Sequence, residues 1–273
     1  MTETRDARAG GYDDLYHEFD SPLNHAMRTE AYGQDIGQCS WTTAEELTSD
    51  IPRLNLSPSS RFLDLGCGPG GPLTFVARHV GCGADGVDRS PAAIASARAR
   101  AASLGLAAGI RLGVADLNAP LPFPAGAFHA VLSVDVILHL EDRAAVFSEI
   151  ARVLTPGGRF LFTDAGVVTG PVTSDELQRR ALHGVTQFVP PGFNEQVLER
   201  AGLRLLECED RTGSALRIAR GRLSARLARR TELDAAYGAA TSADHLRYLE
   251  TVIALSQRGA LARMMYLAES ASA

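Results

Sequence analysis

The chain has 273 residues, 45% of them apolar, a formal net charge of −5, and arginine as its only basic residue besides histidine. That length suits one large domain or a domain with a cap, and an acidic balance disfavours general binding to nucleic-acid phosphates. No apolar run nears the ~20 residues of a membrane span, the polar opening MTETRDARAGG is unlike a secretory signal, and the four cysteines (39, 67, 82 and 208) share no metal-ligand spacing. A cytoplasmic protein without a metal is expected.

In chain order, residues 1–11 read as a flexible tail and residues 12–58 as an N-terminal helical lid. Within the lid, SWTTAEELTSDI opens with Thr43 and Glu46 at capping-box spacing. Residues 59–210 form the core. RFLDLG is a short apolar run ending in glycine, a strand, and GPLTFVARHV is the helix behind it. GADGVD (83–88) ends a second strand, and Ser90 caps the next helix with Pro91 at its first position. IRLGVAD (110–116), FHAVLSV (128–134) and RFLFTDA (159–165) are further strands, with an amphipathic helix over 143–154 stopped by TPGG. Strands alternating with helices predict right-handed βαβ units and a parallel sheet. Residues 173–201 read as two helical pieces broken at VPPG (189–192), and LRLLECED (203–210) as a sixth strand. Residues 211–258 read as a helical cap insert and 259–273 as a last strand and C-terminus. The expected fold is α/β and Rossmann-like, a mostly parallel seven-stranded sheet with the insert over its C-terminal edge.

FLDLGCGPGGP (62–72) carries the most chemistry. Gly66, Gly68 and Gly70 follow a strand and lead into a helix. Glycine admits positive φ and close ligand approach, and the helix N-terminus behind it offers free N–H groups. Gly66, Gly68 and Gly71 also satisfy G-x-G-x-x-G, which would suit a dinucleotide enzyme. Three acids separate the two readings. Asp64, at the first strand end, can hold an ammonium or a water bound to it. Asp88 can accept both hydroxyls of a ribose. Asp116 can receive an adenine amino group. A ligand with ammonium, ribose and adenine and no pyrophosphate fits them, and S-adenosylmethionine is such a ligand.

FLDLGCGPGG, GVDRS, ADLNAPLPFPAGAFHAVLS and ARVLTPGGRFLFTD resemble, in order and spacing, the successive motifs of class I S-adenosylmethionine-dependent methyltransferases, over roughly residues 60–166. The resemblance implies the class I methyltransferase fold. It also implies cofactor contacts. Asp64, Gly66, Gly68 and Gly70 would surround the methionine part, with Ser133 on the floor. Asp88 would bind the ribose, Arg89 would lie beside the adenine, and Asp116 and the Leu117 amide would read the adenine edge. One departure is Phe128-His129, where the family has Phe-Asp; that aspartate is chiefly structural, so nothing catalytic is weakened.

SVDVILHL (133–140) sets Asp135 and His139 into an apolar run. Burying either without a partner costs free energy. If the chain turns helical after the fourth strand, their spacing of four puts both on one face. SVDVILHLEDR resembles the phosphoethanolamine methyltransferases, in which an acid and a histidine at this spacing bind the substrate amine and assist its deprotonation. By that resemblance LFTDA makes Asp164 a further candidate substrate contact; its carboxylate reads as readily as a strand-end cap. YGQDIGQCSW (32–41) looks like their lid, implying cofactor contacts from Tyr32, Gln38 and Trp41. His139 reads equally as a base or as a core residue that orients the turn. Trp41 stacks near adenine or anchors the lid, and Phe188 is pocket wall or core. In LRIARGRLSARLARR (216–230), the arginines read as a solvated face, or as an anion clamp through Arg217 or Arg220.

The combined reading is methyl transfer from S-adenosylmethionine to a small metabolite, an amine nitrogen first and an oxygen or carbon in natural-product biosynthesis second. Its partners would be the small-molecule substrate and possibly a second copy in a homodimer, with no nucleic acid and no membrane. The rivals are a nicotinamide-dependent oxidoreductase and a cofactor-binding module without chemistry.

Overall fold

In Arg61–Leu65 every residue after the arginine is buried, as in a strand covered on both faces. This is β1 of a seven-stranded sheet ordered β3-β2-β1-β4-β5-β7-β6. The computed structural model describes residue 16, residues 18–181 and residues 186–271; the expected tail over 1–11 lies outside them. The other strands are β2 (Gly83–Asp88), β3 (Ile110–Val114), β4 (Phe128–Val134), β5 (Leu154–Val168), β6 (Leu203–Asp210) and β7 (Leu261–Ser270). β7 runs antiparallel to β5 and β6, while the other pairings are parallel. The expected mostly parallel, seven-stranded Rossmann-like sheet is thus present.

Helices α1 (Pro22–Tyr32) and α2 (Ala44–Asp50) precede the sheet. One sheet face is covered by α3 (Gly71–Val80) and α4 (Pro91–Ser103), where Leu73, Val76 and Ile94 meet Phe62, Ala130 and Leu161. The other is covered by α5 (Arg143–Val153) and, past α6 (Ser174–Arg180), by α7 (Phe193–Arg200). There Phe147, Ile150 and Leu198 meet Val131, Phe160 and Phe162. Each such buried side chain contributes roughly 1.5–3 kcal/mol, so these two clusters supply most of the hydrophobic stabilisation. The insert between β6 and β7 is three helices, α8 (Thr212–Ala228), α9 (Arg230–Tyr237) and α10 (Ala239–Gln257). The break before α10 falls at Gly238, with φ +86°. No helix among the described residues is long and apolar enough to cross a membrane.

Two local readings change. Thr43 caps α2 by accepting the Glu46 N–H at 3.1 Å, but the Glu46 carboxylate turns away to Thr42 and Arg263, so only half of the capping box forms. β5 is longer at both ends than expected and carries a bulge between Asp164 and Val167, which re-aims the side chains there.

The lid meets the start of α3 backbone to backbone. A Cβ on Gly71 would lie 2.3 Å from the Gly37 carbonyl oxygen, so only glycine lets the two chains touch. Gly71→Ala should therefore destabilise the fold by about 1–3 kcal/mol. Gly213→Ala on α8, where the added methyl meets nothing within 4 Å, should be neutral or stabilising by up to about 1 kcal/mol. Urea unfolding of both variants checks the difference.

Candidate active site

The C-terminal ends of β1, β2 and β4, the lid and the cap enclose a cavity of about 230 Å³. Ligands of open α/β sheets bind at this edge. The glycine loop is pinned to β2. Gly66 and Cys67 N–H groups donate to the Val87 carbonyl at 2.8 and 3.0 Å, and the Gly68 N–H donates to Asp88 Oδ2 at 2.9 Å. Gly66 has φ +72°, and a Cβ there would strike Val136 at 2.5 Å.

Three carboxylates line this end of the cavity. Asp64 is 2% exposed, and its Oδ2 is buried without a hydrogen-bond partner among the described residues. Burial, and secondarily the charge of Asp88, push its carboxyl up to about 8. Asp88 uses its other oxygen to accept the Ser90 N–H at 2.9 Å, which fixes the carboxylate beside the loop. Asp116 accepts the backbone and side-chain N–H groups of Asn118 at the mouth, next to Arg89 and Leu117. An orphaned, neutral-leaning acid beside an oriented one fits a ligand that brings a cation and paired hydroxyls.

Asp135 and His139 both line the same cavity, by a route unlike the helix face expected. Asp135 takes a left-handed φ of +57°, uncommon for a non-glycine residue but tolerated by aspartate. His139 follows on a single 3₁₀ turn, Ile137–His139. The Asp135 carboxylate is fully committed. Its Oδ2 accepts the Trp41 N–H at 2.7 Å. Its Oδ1 accepts the Thr163 hydroxyl at 2.7 Å and the Arg263 Nε–H at 2.9 Å. Arg263, 2% exposed, also donates to Glu46 at 2.9 Å. Asp135 is therefore a buried ion-pair partner that joins the lid to β4, β5 and β7.

Several residues expected at the site lie off the cavity wall. Asp164 is fully buried beneath the sheet edge and accepts from Arg143, Asn194 and the Gly166 N–H. Phe188 packs against Leu255, Ala260 and Leu261. Ser133 donates to the Leu65 carbonyl at 3.1 Å and so ties β4 to β1. Gly70 takes φ +81° to cap α3, against Ala97. Gln38 folds back on its own loop, accepting from Ile36 and donating to Gln34. Tyr32 donates to the Ser40 carbonyl at 2.7 Å, and burial raises its phenol to about 12. Trp41 reaches the cavity, stacked on Tyr248 at 6.2 Å between centroids. His129, the departure from the family pattern, accepts the Arg61 N–H at 3.1 Å, a strand-end role.

Arg180 at the end of α6, and Arg222 and Tyr248 from the cap, line the cavity without having been singled out for it. Arg217 and Arg220 are exposed, as in a solvated face and unlike the alternative anion clamp. α8 has arginine around most of its circumference, so no periodicity marks its inner face.

A glycine loop after β1, acids at the ends of β1 and β2, and an antiparallel β7 between β5 and β6 together define the class I methyltransferase fold. Residues 63–162 match the family model described as a methyltransferase domain. It is 31% identical over 201 residues to a glycine/sarcosine/dimethylglycine N-methyltransferase of Actinopolyspora halophila, covering 71% of this chain and 34% of the relative. It is 33% identical over 173 residues to methyltransferase GfsG of Streptomyces halstedii, 61% of each. Among solved structures, phosphoethanolamine N-methyltransferase 2 of Haemonchus contortus, in complex with phosphomonomethylethanolamine and S-adenosylhomocysteine, superposes with a TM-score of 0.79 at 20% identity, over 96% of this chain and 60% of that one. The chain spans between 33% and 61% of the length of the first curated relatives it matches.

Breaking a buried pair leaves its partner charged and unpaired, at a cost of about 3–5 kcal/mol. Arg263→Met should lower stability by that amount in urea unfolding, because it strands Asp135. Asp135→Asn combined with Arg263→Met should recover part of the loss.

Proposed function

We propose that this chain transfers a methyl group from S-adenosylmethionine to a small-molecule acceptor, with an amine nitrogen as the first candidate. The observation that carries the reading is that Asp64 lines the cavity with Asp88 and keeps a buried Oδ2 without a hydrogen-bond partner among the described residues. When bound, the cofactor supplies an electrophilic methyl on a sulfonium. Asp64 would balance its ammonium, directly or through a water. Asp88 would accept the ribose hydroxyls, and Asp116 with the Leu117 amide would take the adenine edge.

The chain's own residues then have little covalent work. Alignment of reactants can lower a barrier by up to ~7–11 kcal/mol, and the lid supplies it by closing one side of the cavity through Trp41. His139, which lines the same cavity, would take the acceptor's proton; a neutral imidazole with a reference pKa of ~6.5 suits that task. Asp135 is the positioning residue that holds the lid against the sheet. Support for nitrogen comes from relatives named for N-methylation of glycine, sarcosine and phosphoethanolamine. A hydroxyl acceptor is the second reading, favoured by one observation: Asp135 is paired with Arg263 and offers no spare charge to an ammonium.

The proton on Asp64 gives the test. Its carboxyl is raised to about 8, so the folded protein holds a proton there that the unfolded chain has lost. Its contribution to stability is present at low pH and fades as pH rises from about 4 to about 8. A bound ammonium reverses the preference and expels the proton. Calorimetry in buffers of different ionisation enthalpy should show S-adenosylhomocysteine binding with proton release below pH 8, with affinity falling by up to about tenfold per pH unit there. Asp64→Asn should abolish the release. Tight NADH binding in place of S-adenosylhomocysteine would overturn the reading. Separately, His139→Ala should cut turnover by about 10²–10⁴-fold and leave S-adenosylhomocysteine affinity alone; unchanged turnover would assign His139 to structure.

A further inference from the structure

We propose that Asn118 is a positioning residue, which couples a ligand's contact with Asp116 to the turn that carries His139. The proposal rests on the methyl-transfer reading and deepens it, because it ties the place of the cofactor to the place of the base. Asn118 follows β3 and lines the cavity with Asp116 and His139. Its backbone N–H and its Nδ2 both donate to Asp116 Oδ1, at 3.0 and 3.1 Å. Its own Oδ1 accepts the Glu141 N–H at 2.8 Å, from 23 positions along the chain. These two neighbours fix the orientation of the amide, since a carboxylate requires a donor and a backbone N–H requires an acceptor. Asp116 Oδ2 accepts from none of the described residues. Asn118 thus occupies one carboxylate oxygen and leaves the other to a ligand's amino group.

Glu141 lies two residues after His139, and the segment between β4 and α5 is gripped at several points. The His139 N–H closes the 3₁₀ turn on the Val136 carbonyl at 2.8 Å, and Val136 packs against Gly66 of the glycine loop. Gln187 holds the segment from elsewhere in the fold. Its N–H donates to the Leu138 carbonyl at 2.6 Å, and its Nε2 to the Glu141 carbonyl at 2.8 Å. Arg143 donates to the Gln187 carbonyl at 2.8 Å and is itself paired with Asp164. Glu141 is therefore bonded through its C=O to Gln187 and through its N–H to Asn118. The first connection ends on a buried ion pair, with side chains only 1% and 0% exposed, and is fixed. The second is adjustable, because Asp116 and Asn118 are exposed and hydrogen bonds in competition with water contribute little. A ligand seated on Asp116 excludes water from them, which strengthens each bond. It also pins the carboxylate by its second oxygen, so Asn118 has one fixed partner. Cofactor binding then draws the His139 turn to a single position before the acceptor arrives.

Two spectroscopic readouts test the coupling without a known acceptor. Amide hydrogen exchange follows the Glu141 N–H. Isotope-labelled histidine gives a ring resonance for His139, identified by its absence in His139→Gln. In the unloaded protein, Asn118→Ala should speed Glu141 exchange by about fivefold. In the wild type, saturating S-adenosylhomocysteine should slow that exchange and shift the His139 resonance. Asn118→Ala should still bind the ligand through Asp64 and Asp88 but lose both responses. Gln187→Ala, which loosens the same turn without touching Asp116, should keep them, so coupling is separated from general loosening. Equal Glu141 exchange in the unloaded wild type and Asn118→Ala overturns the proposal. So does a wild type that binds S-adenosylhomocysteine without either response, or a His139 shift of equal size in Asn118→Ala, which marks a direct effect of the ligand. If S-adenosylhomocysteine does not bind the wild type, the methyl-transfer reading fails and the coupling with it, while exchange in the unloaded proteins still decides whether Asn118 holds the turn.

Discussion

A carboxylate at the end of β4 holds the lid, the sheet and the last strand in one frame. Asp135 sits where an apolar strand leaves the core, in a backbone conformation few side chains adopt. An ionised acid taken out of water there faces several kcal/mol of desolvation. The offset comes from three sources far apart in the chain: the Trp41 N–H of the lid, the Thr163 hydroxyl of β5 and the Arg263 guanidinium of β7. Arg263 can arrive only because β7 runs antiparallel between β5 and β6. The strand order and the lid's position are thus one constraint. Trp41, once held by its N–H, lays its ring on Tyr248 and sets the distance between lid and cap.

The half of the site that touches the glycine loop was legible in the sequence because its signals are local. A strand of five apolar-patterned residues, glycines at positive φ and an acid at each strand end are properties of neighbours in sequence. Asp64, Asp88 and Asp116 could be placed from strand ends alone. The other half was legible only as a list of unusual residues. Asp164 reads as a pocket acid or a strand-end cap until Arg143 and Asn194, 21 and 30 positions away, are seen closing on it. Ser133 and Gln38 look like ligand contacts until their backbone partners appear. Arg263 announces nothing, lying in the apolar run ARMMYL, and its role exists only in three dimensions. The arginines of α8 show the same limit. With arginine at positions 217, 220, 222 and 226, no apolar stripe says which side turns inward, and Arg222 lines the cavity from a face that reads as solvated.

Arginine is the chain's only strongly basic side chain, and its planar fork matters to how the core is wired. Arg143 reaches Asp164, Asn194 and the Gln187 carbonyl at once. Arg211 grips both oxygens of Asp50, joining the start of α8 to the lid. A lysine offers a point charge in place of this fixed geometry. The buried charges of this fold are therefore also its joints, and they lie mainly where lid, sheet and cap meet.

Glu46 and Arg263 are 217 positions apart, and Asp135 and Arg263 are 128 apart. A ribosome delivers the chain from the N-terminus, so the cation that completes this latch emerges after the glycine loop, after His139 and after the whole cap. Contacts of such long sequence separation form late and slowly. Until β7 threads between its neighbours, β5 has a bare edge and Asp135 has no cation beside it. The buried ion pair that steadies the lid is in this sense completed only after the parts it ties together already exist.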